Sequence, residues 1–524
     1  MTWMRLPRLL ASVLVLAWLL VTGSAVSASS IAAPVPADDP FHRELRLAAA
    51  LGLLSGPLYG QAPMSRSEAF RLLRGPADRR PDASRGVTDD VAYRMARVRA
   101  ALGGRDAWQQ GRYLPAVRVT PDERLWITGS TVRRGAQATR YLDHGYAWRQ
   151  GMTLENQASL GADLRHVALD VSGRFRADGD GAEFRFTRLN ARTGFGNLRL
   201  IVGREPLQWG PEVHGGLLIS RNARPLDQIR LESEKPFTLF NVRALTFTGS
   251  FFVGRLDDPD RKDFANPNLT GMRVTWQPAR WFAFGATRTV MFGGEGNAYR
   301  WSVGSFLDML LGRNENRNTS EGIVNDTDQK ASIDGSIYLW PVLQHAPVVQ
   351  GGRIYAQYGG EDSPQHGNPL PSAPGRVWGL ELVGEGILGR VEWSDVVDDH
   401  NLWYWHKIYT DGYTYRGVVL GHPMGQDSDA LSVDLEIPLG RWGLLMPSWQ
   451  RQRHGFSAYL NTPPDASFPP IPHAELHRFG LAVEAAMGRF PGSLWFEGRV
   501  WSESGDLERN GPTEDWGISV GWRR

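Results

Sequence analysis

Beyond Pro121 the alternation of apolar and polar residues has a period of two. In Ala162–Arg176, Val167, Leu169, Val171 and Phe175 fall on one face, and His166, Asp170, Ser172 and Arg174 on the other. A strand points successive side chains to opposite faces, so this run has one apolar and one polar side. Comparable runs follow at Phe184–Ala191, Leu198–Gly203, Leu245–Val253, Met272–Trp276, Phe282–Thr289, Ile354–Tyr358 and Val377–Leu382. They continue at Leu388–Trp393, Leu431–Leu435, Leu444–Trp449, Phe479–Val483, Leu494–Trp501 and Trp516–Trp522. Most are bounded by the turn formers Gly, Pro, Asp and Asn. Charged residues on the inner face of strand after strand are costly in a dry core and tolerated in a wet lumen. The pattern predicts a large antiparallel transmembrane β-barrel over residues 120–524. Roughly 400 residues at about 20–24 per strand and loop correspond to about 16–18 strands. In the last run Trp516, Ile518, Val520 and Trp522 alternate with Gly517, Ser519 and Gly521. An amphipathic terminal strand closing on an aromatic suits an outer-membrane barrel, although Arg523 and Arg524 follow it here.

Before this region the period is helical. Asp39 is placed to cap a helix starting at Pro40, with Leu45, Ala48, Leu51 and Leu54 on one side and Gly56-Pro57 as its stop. Ser65-Arg66-Ser67-Glu68 reads as a capping box opening a second short helix. Thr88 begins a third, with Val91, Met95, Val98 and Leu102 at helical spacing. Residues 29–119 are therefore expected to form a small periplasmic helical bundle with flexible segments. Residues 1–28 read as a signal peptide: Arg5 and Arg8 precede the apolar run Leu9–Val21, and Val26-Ser27-Ala28 offers a cleavage site. At about 13 residues the run is shorter than a membrane-spanning helix requires.

Composition narrows the picture. The chain has no cysteine, which removes disulfides, thiolate metal sites and cysteine nucleophiles. Of 58 basic residues two belong to the leader, leaving 56 against 56 acidic ones, with no basic excess for a nucleic-acid partner. Twenty Trp, 21 Phe, 14 Tyr and 59 Gly suit a barrel, but also a large soluble sandwich or propeller.

Several enzyme-like strings fail on context. Gly384-Glu385-Gly386-Ile387-Leu388-Gly389 fits a dinucleotide fingerprint but is followed by no helix, and reads as a hairpin turn. Gly517-Ile518-Ser519-Val520-Gly521 fits a nucleophile elbow but lies inside the terminal strand. His473 and His477, four apart beside a strand, make no convincing metal pair, and adjacent Asp398-Asp399-His400 cannot all face one substrate.

Two stretches carry more. One is Gly203-Arg204 through Trp209-Gly210-Pro211 to Ser220-Arg221-Asn222-Ala223-Arg224-Pro225, a strand end and polar segment that reads as a structural turn, an inward-folded loop or a binding element. The other packs Trp403, Tyr404, Trp405, Tyr409, Tyr413 and Tyr415 into thirteen residues with His406 and Asp411, leading into His422 and Asp427. Aromatic faces stack on pyranose rings, while imidazole and carboxylate replace the water on sugar hydroxyls. An interfacial aromatic girdle would concentrate the same residues. Trp403, Trp405, Tyr409 and Tyr413 are the candidate stacking platforms, with His406 and Asp411 as hydrogen-bond partners.

These stretches resemble the Wzi family of capsule-assembly outer-membrane proteins. Leu51-Gly52-Leu53-Leu54, Ser65–Ala69, Gly293-Gly294-Glu295-Gly296 and Asp328–Asp334 add to the similarity in the same order along the chain. The resemblance implies an 18-stranded, largely plugged barrel and a lectin-like role in tying capsular or exported polysaccharide to the cell surface. On that reading Trp209, Gly210, Pro211, Asn222, Arg224, His422 and Asp427 are family-motif residues whose role is structural or binding. The expectation is a non-enzymatic protein without cofactor or metal, whose partners are polysaccharide, outer-membrane lipid and the polysaccharide-export machinery. The rivals are a diffusion porin, with Gly294–Asp334 as a constricting or plugging loop, and an outer-membrane hydrolase.

Overall fold

The computed structural model describes residues 35–523 except 36, 38, 59, 74–115, 133–139, 165–166, 298, 300–301, 311–316, 320–321, 325–326, 344–345, 361–373, 398–402, 407, 457–472, 487–492 and 506–512. The leader, the helix expected from Thr88 and the Asp398-Asp399-His400 cluster lie outside the described residues.

Eighteen antiparallel strands close into one barrel. They are β1 (Ala116–Ser130), β2 (Gly151–Asp163), β3 (Val167–Asp178), β4 (Gly181–Phe195), β5 (Leu198–Glu205), β6 (Leu226–Ser233), β7 (Thr246–Arg255), β8 (Asn268–Ala279) and β9 (Phe282–Phe292). The second half comprises β10 (Thr327–Tyr338), β11 (Gly351–Gly360), β12 (Gly375–Gly384), β13 (Ile387–Asp395), β14 (Ser428–Pro438), β15 (Gly443–His454), β16 (Ala474–Ala486), β17 (Ser493–Gly505) and β18 (Thr513–Arg523). The seam joins β1 to β18, with Trp126 opposite Gly521 and Ile127 opposite Val520.

Side-chain placement is that of a barrel in lipid. On β18 Trp516, Ile518 and Val520 are exposed while Ser519 is buried, and on β3 Leu169 and Phe175 are exposed while Asp170, Ser172 and Arg174 are buried. An apolar exterior around a charged interior inverts the order of a soluble protein. The interior charges are paired across strands. Arg353 donates to the Glu381 carboxylate at 2.9 and 3.1 Å, Arg390 reaches the same group at 2.9 Å, and Arg273 donates to Asp334 at 2.6 and 2.9 Å. Placing arginine at Ile518, near the middle of its strand on the lipid side, is expected to cost about 2–4 kcal/mol. Refolding into vesicles, followed by heat-modifiable migration, reads that loss.

The expected runs fall on barrel strands, but two details differ. The Ala162–Arg176 run is the end of β2, a turn and β3, not one strand. The last eight residues of the Gly294–Asp334 segment, expected as a loop, are wall: β10 starts at Thr327 and pairs with both β9 and β11. The terminal Gly517–Gly521 string is part of β18, and Gly384–Gly389 forms the β12–β13 hairpin, where Glu385 (φ 51°) and Gly386 (φ 81°) make the tight turn.

Connections are mostly short at one end of the barrel and long at the other, counting along β1–β18. The chain enters β1 and leaves β18 at the short-turn end. There two helices, α1 (Phe41–Ala50) and α2 (Arg66–Leu73), meet the wall. Asp39 accepts the Phe41 amide at 2.8 Å, and Ser65 Oγ accepts the Glu68 amide at 3.0 Å, the two caps read from the sequence. α1 ends at Ala50, before the expected Gly56-Pro57 stop; its Leu45 and Ala48 pack with Leu54, beyond the helix, and Leu72 of α2 against Tyr338, Val383 and Leu388 of the barrel. Arg43 donates to Glu484 at 3.0 Å from the same helix. Among the described residues no helix is long and apolar enough to cross a membrane.

Candidate functional site

At the long-loop end two connections fold inward: Pro206–Pro225 between β5 and β6, and the described residues between β13 and β14, 396–397, 403–406 and 408–427. They form one dry cluster of Trp209, Leu217, Ile219, Trp403, Tyr404, Tyr409, Tyr413, Leu420 and Met424, against wall residues such as Phe252 and Leu269. Burying this surface is the apolar driving force for docking the loops.

Polar groups fix how the two segments meet. Tyr404 is the clasp: its hydroxyl donates to the Leu217 carbonyl at 2.6 Å and accepts the His422 amide at 2.6 Å. The Ser220 amide donates to the Leu420 carbonyl at 2.9 Å, Ser220 Oγ to the Gly421 carbonyl at 2.5 Å, and Asn222 Nδ2 to the Val419 carbonyl at 3.0 Å. The chain passes so closely here that a side chain at Gly421 would sit 2.1 Å from the Leu217 oxygen.

The wall supplies the remaining partners. Glu392 accepts the amides of Val213 and His214 at 2.9 and 3.1 Å, and also the Tyr355 hydroxyl at 2.6 Å. Gln357 Oε1 accepts the Leu217 amide at 2.8 Å, and Arg353 donates to the Pro211 carbonyl at 3.0 Å. Buried lumenal charges therefore satisfy loop backbone that would otherwise be orphaned.

Two histidines experience opposite fields. Burial works to lower the pKa of His214, but the Asp434 carboxylate 2.7 Å from its Nε2 outweighs this and raises it. His422 is pushed down to about 3 by burial, with nearby His214 adding to the effect. Its Nδ1 accepts the Met424 amide at 3.2 Å, so the neutral ring carries its proton on Nε2, 3.2 Å from Ser394 Oγ. Glu212, buried near Asp334 and Glu392, has its pKa pushed well up by desolvation first and those carboxylates second.

The sequence-singled aromatics are largely consumed by this packing. Trp403, Tyr409 and Tyr413 are fully buried and Trp405 nearly so, which leaves the first three no ring face for a ligand in this conformation. Trp403 lies against Gly359 and Gly375, where any side chain would collide with its ring. Tyr413 stacks beside Tyr404 at 6.1 Å, and the Tyr409 hydroxyl donates to the Gly293 carbonyl at 2.9 Å. The stretch is thus inside the barrel and not in a lipid-facing girdle. His406 is half-buried, its Nδ1 accepting the Ile408 amide at 3.3 Å in a local turn. Asp411, also half-buried, accepts the Lys262 amide at 2.6 Å and ties the loop to residues 257–266.

Most of the family-motif residues make packing or backbone contacts within the plug. Trp209 packs on Phe252 with ring centroids 5.3 Å apart, and the Gly210 amide donates to the Gly60 carbonyl at 2.8 Å. Gly210 has φ +117°, and a side chain there would strike the Glu212 carboxylate. Asn222 and Pro211 hold the contacts given above. Arg224 has its pKa lowered by burial and by Arg416, and Asp427, at φ 46°, accepts the Gly455 amide at 3.0 Å through its carbonyl. His473 faces the His454 carbonyl at 3.1 Å and His477 stacks on Trp449, so the two rings serve separate places. Sequence reasoning did not single out the wall partners Gln357, Arg353 and Glu392. Their one signal was polarity on the inner face of a strand, which every lumenal residue shares.

An 18-stranded closed barrel with an apolar exterior and a loop-packed lumen defines the class: a plugged outer-membrane β-barrel. The family model described as capsule assembly protein Wzi matches residues 126–441, and the chain belongs to that family. The solved structure of Wzi from Escherichia coli, described as an outer membrane protein involved in group 1 capsule assembly and a carbohydrate-binding β-barrel, superposes with a TM-score of 0.68 at 19% identity. That match covers 94% of this chain and all of the other. An uncharacterized 55.8 kDa protein in the cps region of Klebsiella pneumoniae is 28% identical over 221 residues, 41% of this chain; the match spans 40% of that relative's length. OprD of Pseudomonas aeruginosa superposes with a TM-score of only 0.45 at 7% identity, covering 78% of this chain and 94% of the other.

Proposed function

We propose that the protein binds exported or capsular polysaccharide at the cell surface and organises it there without chemical turnover. The observation that carries this reading is the plug itself. Two long connections are locked into the lumen by a dry aromatic cluster and by hydrogen bonds to the wall, giving a rigid platform at one mouth. A diffusion porin keeps its lumen wet, and a hydrolase needs paired catalytic groups in one accessible site. Short turns face the periplasm and long loops the exterior in barrels of this kind. The plug then looks outward, and α1 and α2 occupy the periplasmic mouth after residues 1–28 have been removed near Ala28. A contact between those helices and the export machinery belongs to the same proposal.

Within the platform Trp403, Tyr409 and Tyr413 act as the buried floor, and Trp405 as its margin. The ligand-side groups are His406 and Asp411 with the exposed residues around them, Thr410, Asp257 and Lys262. Arg416, whose guanidinium lies 3.6 Å from Asp257, adds a cation at this surface. Hydroxyl-rich polymers suit such clustered carboxylate, hydroxyl and cationic groups, since each hydrogen bond to a charged partner contributes about 1.5–3 kcal/mol. The double variant Asp257→Ala/Arg416→Ala is expected to weaken glycan binding by about tenfold or more and to reduce polymer retention on cells. Full retention and affinity, in a barrel that folds normally, would discard this face as the binding surface.

A further inference from the structure

The connection after β9 passes over the rim to the lipid side of the wall. On β9 Met291 points inward and belongs to the plug cluster, so its neighbours Val290 and Phe292 point outward. On β7 the inward Phe252 likewise leaves Phe251 outward. Further down the same outer surface Ala286 and Val274 are exposed. Val290 and Phe292 are not: at 1% and 0% exposure they are covered, by Tyr299 and Phe306.

Phe306 belongs to a helix, α3 (Val303–Leu310), whose first turn is capped by Ser302 Oγ accepting the Ser305 amide at 2.9 Å. The Phe306 ring lies 6.2 Å from that of Phe292 and 6.4 Å from that of Phe251, and Tyr299 lies 5.3 Å from Phe292, measured between centroids. A helix therefore rests on the outside of the barrel, across β7–β9. The Gly294–Asp334 segment, expected to constrict or plug the lumen, does neither in this part. Its start keeps hold of the plug: the Gly293 carbonyl accepts the Tyr409 hydroxyl at 2.9 Å, and Asn297 Nδ2 donates to the same hydroxyl oxygen at 3.1 Å. One connection thus straddles the rim.

The height of α3 follows from the wall beneath it. Exposed Trp276 and Trp281, with Phe282, mark the aromatic edge at the short-turn end. β9 runs 11 residues from Phe282 to Phe292. At about 3.3 Å per residue and a tilt of about 40° it climbs roughly 25 Å, the height of the apolar band of such barrels. Phe292, and α3 upon it, therefore stand at the opposite edge of that band. There Leu307, 51% exposed, and Gly304, one turn before it on the same helix face, point away from the wall. The eight residues carry a single charge, Asp308. An apolar side chain at this height, continuous with the lipid-facing wall, leaves water for hydrocarbon. A stable interface between two copies buries about 1,600 Å², and the free side of two helical turns supplies only a small part of that.

We propose that α3 is an interfacial helix immersed in the leaflet at the long-loop end, its free face held by acyl chains beside the headgroups. With the long loops outward this is the outer leaflet; the lipid contact itself does not depend on polysaccharide binding. The chain has no cysteine, so Leu307→Cys and Gly304→Cys each give the full-length barrel one thiol for a fluorescent label. Both positions have room, since even a side chain at Gly304 meets nothing closer than Ser302 Oγ at 3.8 Å. In phosphatidylcholine vesicles both labels should be quenched about twofold or more strongly by lipid with a nitroxide near its headgroup than by lipid with one at the chain end. Both should be shielded from iodide in the water. Asp180→Cys, on an exposed turn at the same end, should be open to iodide, and Ile518→Cys should favour the deep nitroxide. Heat-modifiable migration shows that each labelled barrel has folded. Open access of iodide to both helix positions would put α3 in water. Shielding from iodide and from both nitroxides would seat it against protein, and stronger quenching from the chain end would place it deep in the bilayer. Any of these three results overturns the proposal.

Discussion

Replacing Gly421 with alanine should unlock the plug and turn a quiet barrel into a conducting one. The added Cβ would lie 2.1 Å from the Leu217 carbonyl oxygen and 2.3 Å from the Tyr404 hydroxyl. Neither atom can retreat cheaply. The carbonyl belongs to backbone whose amide is held by Gln357, and the hydroxyl already serves two hydrogen bonds. Overpacking and the loss of these buried bonds together amount to about 2–5 kcal/mol. The wall holds its own strand pairing without the loops, so the barrel should assemble. Planar-bilayer recordings of wild type and variant side by side give the readout, and equal conductance would show that the clasp does not hold the plug shut.

Acid should loosen the same plug through His422. In a released loop this residue would titrate near its ordinary value of 6.5, whereas in the docked loop it resists protonation until about pH 3. Between these values the released state binds more protons, so docking loses stability as the pH falls. At pH 4.5 the difference is about 2–3 kcal/mol. His214 has the opposite sign. Its docked pKa is raised once Asp434 outweighs burial, so its contribution is full below 6.5 and fades as the pH rises through the raised value. His422→Gln should therefore blunt acid-induced channel openings, and His214→Gln should sharpen them. Openings at pH 4.5 that are unchanged in His422→Gln would show that another group senses the acid.

The wall was legible in the sequence wherever a strand carried enough large apolar residues on its lipid face. On β18 Trp516, Ile518, Val520 and Trp522 declare the strand. On β10 the lipid face is Ala331, Ile333, Gly335 and Ile337, while the lumenal side is dense with Asp328, Lys330, Ser332 and Asp334. Such a strand resembles a polar loop until its neighbours pair with it, and β6, with Ile229 and Leu231 as its main outward apolar residues, escaped for the same reason. The plug was legible as composition but not as geometry. Six aromatics in thirteen residues signal that something must be buried or bound, yet only the closed barrel shows burial against Leu217 and the backbone at Gly359. The glycine pattern was the subtler clue, since Gly421 has no positive φ and is required by the approach of another chain segment.

The short ladder between Gln61-Ala62 and Gln208-Trp209, with the Gly210 amide on the Gly60 carbonyl, links the N-terminal segment to the loop plug. That segment enters through the short-turn mouth, anchored by α1 and α2, and its tip touches the base of the plug. A displacement of the helices would therefore reach the plug through two residues of backbone, bypassing the stiff wall.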